Sequence, residues 1–210
     1  MKKLFLFDFD GVVVDSLDVY EGTVTKCLEK IGQPIIKSRS DFLDLFEDNF
    51  YLSLVKKGVD LEAFMYASTD ILKHADYSGM KPFYDLIPVL KKLENCSITA
   101  IISSSGTNEI SSIMTRFHLN GYFRNVFGSD VNLSKKEKIL LALDRFEMKR
   151  EKAYYVGDTT GDIKEAKTVG IKTIAVSWGW HSKERLAAAG PDHLIDRPEE
   201  LLIISDSIAF

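Results

Sequence analysis

The sequence has little of what announces several protein classes. Two cysteines in 210 residues, Cys27 and Cys96, make neither a disulfide framework nor a thiolate metal cluster. That usage fits a reduced, cytoplasmic setting. No apolar run approaches the roughly 18 residues a spanning helix needs. The opening stretch Leu4–Phe7 meets Asp8 after only a few apolar residues, too short for the core of a signal peptide. Neither sign of charge dominates. The 27 Lys and Arg against 31 Asp and Glu leave a net charge of −4, which argues against bulk electrostatic binding to nucleic acid or to an anionic membrane. There is no internal repeat and no low-complexity tract. What remains is 45% apolar and 28% charged, an ordinary globular composition. Its length predicts one domain, or one plus a modest insertion.

Short β-rich runs recur, and each ends in small or acidic residues. Leu4-Phe5-Leu6-Phe7 ends in Asp8-Phe9-Asp10-Gly11. Ile98–Ile102 ends in Ser103-Ser104-Ser105-Gly106, Ala153–Val156 in Gly157-Asp158, and Thr173–Val176 in Ser177-Trp178-Gly179. Between them lie helical stripes: Leu86, Ile87, Leu90, Leu93; Ile110, Ile113, Met114, Phe117; Ile139, Leu140, Leu143, Phe146. Strands alternating with helices predict an α/β fold, a Rossmann-like doubly wound parallel sheet covered on both faces. Right-handed crossovers bring the strand C-termini to one edge, where such sheets bind ligands.

Residues 16–79 break this rhythm. They carry helical stripes (Tyr20, Val24, Cys27, Leu28, Ile31; Phe42, Leu45, Phe46, Phe50; Leu61, Phe64, Met65, Ser68, Ile71, Leu72) and no convincing strand. That is too long for a simple crossover. We expect an all-helical cap subdomain at 16–79 inserted into a core of residues 1–15 and 80–210, with hinges near Val13–Ser16 and Tyr77–Met80.

The chemistry gathers at the predicted sheet edge. Asp8 and Asp10 flank one residue after a buried strand, so alternation points their side chains the same way. Two close carboxylates raise each other's pKa unless a cation or hydrogen bonds compensate, and a hard divalent cation such as Mg²⁺ would do so. Gly11 allows a tight turn whose N–H groups suit an anion. Asp158 and Asp162 lie four apart after another strand. One of them read alone is a helix cap; beside a second acidic pair they favour a metal site. Ser103 and Ser104 offer hydroxyl and N–H donors to a phosphate oxygen. Lys135, Lys136 and Lys138 precede a helix; one cation here would offset the carboxylates, with Lys135 preferred and Lys138 the runner-up. His74, His118, His181 and His193 show no ligand spacing.

These pieces in this order (DFDGVVVDS at 8–16, IISSS at 101–105, SKKEKI at 134–139, YVGDTTGD at 155–162) resemble the haloacid dehalogenase superfamily of phosphatases. The insert matches the position of that family's type-1 helical cap, and the ending TIAVSWGWHS with PDHLIDRPEEL looks like the phosphoglycolate phosphatase branch. The resemblance implies that Asp8 is the nucleophile and forms an aspartyl-phosphate, with Asp10 as general acid and base. It implies that Mg²⁺ is held by Asp8, the Asp10 carbonyl, Asp158 and Asp162, directly or through water. Ser103 and Lys135 would hold the transferring group. The family's cap closes over the site and recognises the leaving group. Val12 stands where many members have Thr, and Lys136 follows Lys135 where Pro is frequent.

The expected activity is Mg²⁺-dependent hydrolysis of a small phosphorylated metabolite by a monomer or homodimer. The alternatives are a sugar phosphomutase of the beta-phosphoglucomutase type and a non-catalytic binding module on this fold. In the insert, Arg39, Lys56, Lys57 and Lys73 read first as solvated helix faces, and Phe46, Phe50, Tyr51, Phe64 and Tyr66 as packing residues.

Overall fold

The computed structural model describes residues 2–206. Along the chain, β1 (Leu4–Phe7) and β2 (Val14–Asp15) are followed by α1 (Leu17–Lys30), α2 (Arg39–Asp44), α3 (Phe50–Lys56) and α4 (Leu61–Lys73). Then come β3 (Lys81–Pro82), α5 (Leu86–Cys96), β4 (Ile98–Ile102), α6 (Thr107–Arg116), β5 (Val126–Phe127) and α7 (Lys135–Arg145). The chain continues through β6 (Ala153–Gly157), α8 (Thr160–Val169), β7 (Lys172–Val176), α9 (Lys183–Ala188), β8 (His193–Ile195) and α10 (Glu200–Asp206). Two compact units result: Met1–Asp15 with Lys81–Phe210, and Ser16–Met80.

The first unit is built on a six-stranded parallel sheet in the order β5-β4-β1-β6-β7-β8. β1 lies between β4 and β6, pairing Leu4 with Ile98 on one side and with Ala153 on the other. All four of its residues are buried, because helices cover both faces of a parallel sheet. The period of two divides the core. Leu4 and Leu6 join Ala100, Ile102 and Tyr155 against Ile139 and Ala142 of α7 and Ala166 of α8. Phe5 and Phe7 point to the other face, where Phe5 stacks on Tyr154 at 5.1 Å and Phe7 meets Phe123 edge-on at 5.7 Å. The chain leaves β1 for β4 on one side and later returns to β6 on the other, so strand order reverses at β1. A crevice forms at such a point, beyond the strand C-termini.

The four longer strands follow the runs read from sequence. β5 and β8 have two and three residues, too few for a periodic signal, and their pairing is set by the strands beside them. The antiparallel pair β2–β3 matches Val14 with Pro82 and Asp15 with Lys81, where the chain leaves and re-enters this unit.

The second unit is helical. The stripe from Phe42 to Phe50 is divided between two helices, because Asn49 accepts a hydrogen bond from Leu52 N and starts α3 afresh. Rings bridge that break: Phe46 lies 5.1 Å from Phe42 and 5.0 Å from Phe50, and Phe50 lies 5.9 Å from Phe64. Arg39 pairs with Asp18 and Glu21, and Lys56 with Asp48, all at the surface. No helix among the described residues is long and apolar enough to cross a membrane.

Candidate active site

The ends of β1, β4 and β6 and the first turns of α7 and α8 supply the polar residues of one site. Asp8 directly follows β1. Its backbone N–H donates to the Val156 carbonyl, so the ladder continues one residue past the strand and fixes the side chain at the edge. Asp8 Oδ1 accepts from Phe9 N at 2.7 Å, and Oδ2 accepts from Lys135 Nζ at 2.8 Å. Lys135 also donates to Asp162 Oδ1 at 2.5 Å, and its ammonium lies 5.6 Å from the Tyr155 ring centre. Of the three lysines in the run, Lys135 therefore reaches the acidic cluster. Lys138 is buried and donates instead to the Ser103 carbonyl at 2.9 Å.

Local sequence explains these placements. Ser134 and Glu137 form a capping box that starts α7 at Lys135. In the same way Thr159 caps α8 and Asp162 is its reciprocal partner, accepting from Thr159 N at 3.1 Å and Thr159 Oγ1 at 2.7 Å. Asp162 is thus not the cap residue itself. Its Oδ2 serves the helix start while its Oδ1 faces Lys135.

Asp8, Asp158 and Asp162 each offer a carboxylate oxygen, and these oxygens lie within 4.8 Å of one another. Asp158 is fully buried. Its Oδ2 accepts from Trp180 N at 2.7 Å, and its Oδ1 has no hydrogen-bond partner. Close approach of backbone makes room for these groups. A Cβ on Gly11 or Gly179 would lie 2.0 or 2.3 Å from Asp158 atoms, and one on Gly157 would lie 2.5 Å from Asp162 Cβ. Gly11 also has φ +75°, a conformation that favours glycine. Its N–H donates to the Val14 carbonyl, so that N–H closes the turn and is not offered to an anion.

The Asp10 carboxylate is not a member of this trio. Its Oδ2 accepts from Ser105 Oγ at 2.7 Å and from Ser103 Oγ at 3.4 Å. Ser104 is exposed, whereas Ser103 and Ser105 are buried. Sequence reasoning passed over Ser105; the signal available was its i+2 spacing from Ser103. His181, which shows no ligand spacing in the sequence, is buried and accepts from Thr160 N through Nδ1 at 3.1 Å, bracing the start of α8. Tyr155, Gly157 and Gly179 lie inside the quoted motif stretches, but their own contributions show only in what they touch.

Electrostatics exposes a shortage of positive charge. Burial pushes Asp8 up to about 7, against the pull of Lys135, and pushes Asp158 well above the usual carboxylate range. Burial acts on Asp162 as well, but Lys135 and the Thr159 hydrogen bonds outweigh it and hold that carboxyl low. Burial also opposes the charge of Lys135, yet Asp162 and Asp8 raise it well above an ordinary lysine. One lysine does not neutralise three buried carboxylates. An all-oxygen donor set with an unclaimed Asp158 oxygen fits a hard divalent cation, which would supply the missing charge.

The comparisons agree with this geometry. The model of the haloacid dehalogenase-like hydrolase family matches residues 5–176. A phosphoglycolate phosphatase from Synechococcus elongatus is 28% identical over 95% of both chains. One from Aquifex aeolicus is 27% identical over 98% of this chain and 97% of its own. Among solved structures, a haloacid dehalogenase-like family hydrolase from Streptococcus pneumoniae shares the fold with a TM-score of 0.80 at 20% identity, over 97% of this chain and 98% of that one. This chain belongs to the haloacid dehalogenase-like hydrolase family and is a phosphatase-type enzyme of it.

Proposed function

We propose that the protein hydrolyses a small phosphomonoester with Mg²⁺ as its cofactor, and that phosphoglycolate is the first substrate to test. The observation that carries this reading is the pairing of Asp8 with Lys135 inside the Asp8–Asp158–Asp162 trio, with Asp10 two residues along on Ser103 and Ser105. The relatives' activity toward phosphoglycolate supports the substrate class.

Each residue then has a task. The Asp8 carboxylate attacks phosphorus, and the bond from phosphorus to the leaving oxygen breaks as the acyl-phosphate forms. Asp10 donates the proton that the leaving alkoxide takes. Asp10 next accepts a proton from water as that water attacks phosphorus, and the Asp8–phosphorus bond breaks to release phosphate. Lys135 meets the negative charge on the transferring group and orients Asp8. Ser103 supplies a hydroxyl to the same group. Asp8, Asp158, Asp162 and the Asp10 carbonyl would hold Mg²⁺, which neutralises charge on the nucleophile and the phosphoryl oxygens. Positioning and charge neutralisation dominate this chemistry.

The test is phosphate release from a panel of phosphoglycolate, sugar phosphates, nucleoside monophosphates and pyrophosphate, with and without Mg²⁺. Asp8→Asn should abolish the Mg²⁺-dependent release. Retained turnover would sink the nucleophile assignment, and isomerisation of a sugar phosphate without net release would favour the mutase reading.

A further inference from the structure

The first two turns of α7 carry a half-buried lysine, Lys135, and a buried one, Lys138, where helix electrostatics favour acids. Lys135 is explained by Asp8 and Asp162. Lys138 is not: it forms no salt bridge within the described residues, and its one hydrogen bond goes to a neutral acceptor, the Ser103 carbonyl. A buried ammonium satisfied by a single carbonyl is costly, and an apolar side chain of similar length would fit the helix better. Packing therefore does not account for Lys138.

Its one partner does. Ser103 ends β4, and its N–H donates to the Phe127 carbonyl. Ser103 Oγ accepts from Ser105 N at 3.0 Å, so the two serines form one tight turn, and both hydroxyls reach Asp10 Oδ2. The Lys138 ammonium closes the remaining backbone end of this turn. Residues i and i+3 share one helix face. The same face of α7 thus holds the nucleophile through Lys135 and the Asp10-bearing hydroxyls through Lys138.

We propose that Lys138 is a positioning residue of the phosphoryl-transfer site, which fixes the Ser103–Ser105 turn through the Ser103 carbonyl. This inference rests on the phosphatase reading above. Lys138 acts through Ser103 and touches no reacting atom. Its charged form is the one with three donors, so its titration is a readout of the role. Burial and the charge of Lys135 lower it to about 8, while Asp8, Asp130 and Glu165 pull it upward. Loss of its proton with rising pH should loosen the turn and lower turnover.

The experiment compares full-length wild type, Lys138→Met and Lys138→Arg with Mg²⁺ and p-nitrophenyl phosphate. Lys138→Met should keep or raise Tm while kcat falls about tenfold or more and KM changes little. The wild-type fall in kcat above pH 8 should vanish in Lys138→Met and move to higher pH in Lys138→Arg, which should recover much of the activity. A folded Lys138→Met with kcat and alkaline limb unchanged would overturn the proposal, as would a fall in Tm alone. Should Lys138→Met fail to fold, Lys138→Arg with an unshifted alkaline limb overturns it. If wild type hydrolyses no phosphomonoester, the phosphatase reading fails first. A crystal structure of Lys138→Met then decides the positioning role: a displaced Ser103 carbonyl supports it, and an unmoved turn overturns it.

Discussion

A Cβ placed on Gly11 would lie 2.0 Å from Oδ2 of Asp158, so the turn after β1 and the acid after β6 occupy adjoining space that only a glycine leaves open. Asp158 cannot retreat, because Gly179 approaches it from another side and Trp180 N holds the same Oδ2 at 2.7 Å. The spacing of the trio is therefore set by backbone contact as much as by charge.

Gly11→Ala should displace Asp158 and strain a backbone at φ +75°. We expect Mg²⁺ affinity to fall by at least about tenfold and kcat by about a hundredfold, since small misplacements at a phosphoryl-transfer site are amplified. Gly22→Ala is the control. Nothing lies within 4 Å of a Cβ there, and it sits inside α1, so the change should stabilise by about 0.5–1 kcal/mol. Isothermal titration with Mg²⁺ and urea melts measure both. Equal Mg²⁺ affinity in Gly11→Ala and wild type would show that Asp158 does not depend on that gap.

The readability of this chain follows the length of its signals. The places of Asp8, Asp10 and Asp158 at the sheet edge are legible because each lies at the end of a buried apolar run, and that of Asp162 from its spacing of four after Asp158. β5 and β8 are not, since two or three residues carry no period. Of three adjacent serines, sequence cannot say which face inward; that depends on the turn after β4, which buries Ser103 and Ser105 and exposes Ser104. The lysine run was ambiguous for the same kind of reason. The capping box at Ser134 sets the helix phase, and that phase sends Lys135 to Asp8 and Lys138 to Ser103.

That turn gives the second prediction. Ser105 Oγ makes the short hydrogen bond to Asp10 at 2.7 Å, and Ser103 Oγ the longer one at 3.4 Å. Ser105→Ala should leave Asp10 poorly held and lower kcat about tenfold, a fraction of the 10²–10⁴ that a general acid contributes. Ser104→Ala should change kcat less than about twofold, because its side chain is exposed. Steady-state kinetics on one phosphomonoester decide it. A larger loss in Ser104→Ala than in Ser105→Ala would reverse the roles assigned to them.

The third prediction concerns pH and metal together. Without metal, folded Asp8 keeps its proton up to about 7, whereas the unfolded chain releases it near the ordinary 3.8. Between these values the folded state binds more protons, so this group's contribution to stability falls as pH rises from about 4 to about 7. Asp158, also raised by burial, pushes the same way, and Asp162, held low, pushes the other way. Subtracting the Tm of Asp8→Asn from that of wild type isolates the Asp8 part. In metal-free buffer this difference should decrease from pH 5 to pH 8. Bound Mg²⁺ favours the charged carboxylates, so the rise in wild-type Tm at saturating Mg²⁺ should be larger at pH 8 than at pH 5. Calorimetric melts at the two pH values, with chelator or with Mg²⁺, provide the four numbers. A metal-free difference that grows with pH would mean that Lys135 alone neutralises Asp8. A Mg²⁺ shift no larger at pH 8 than at pH 5 would remove Asp8 from the metal site.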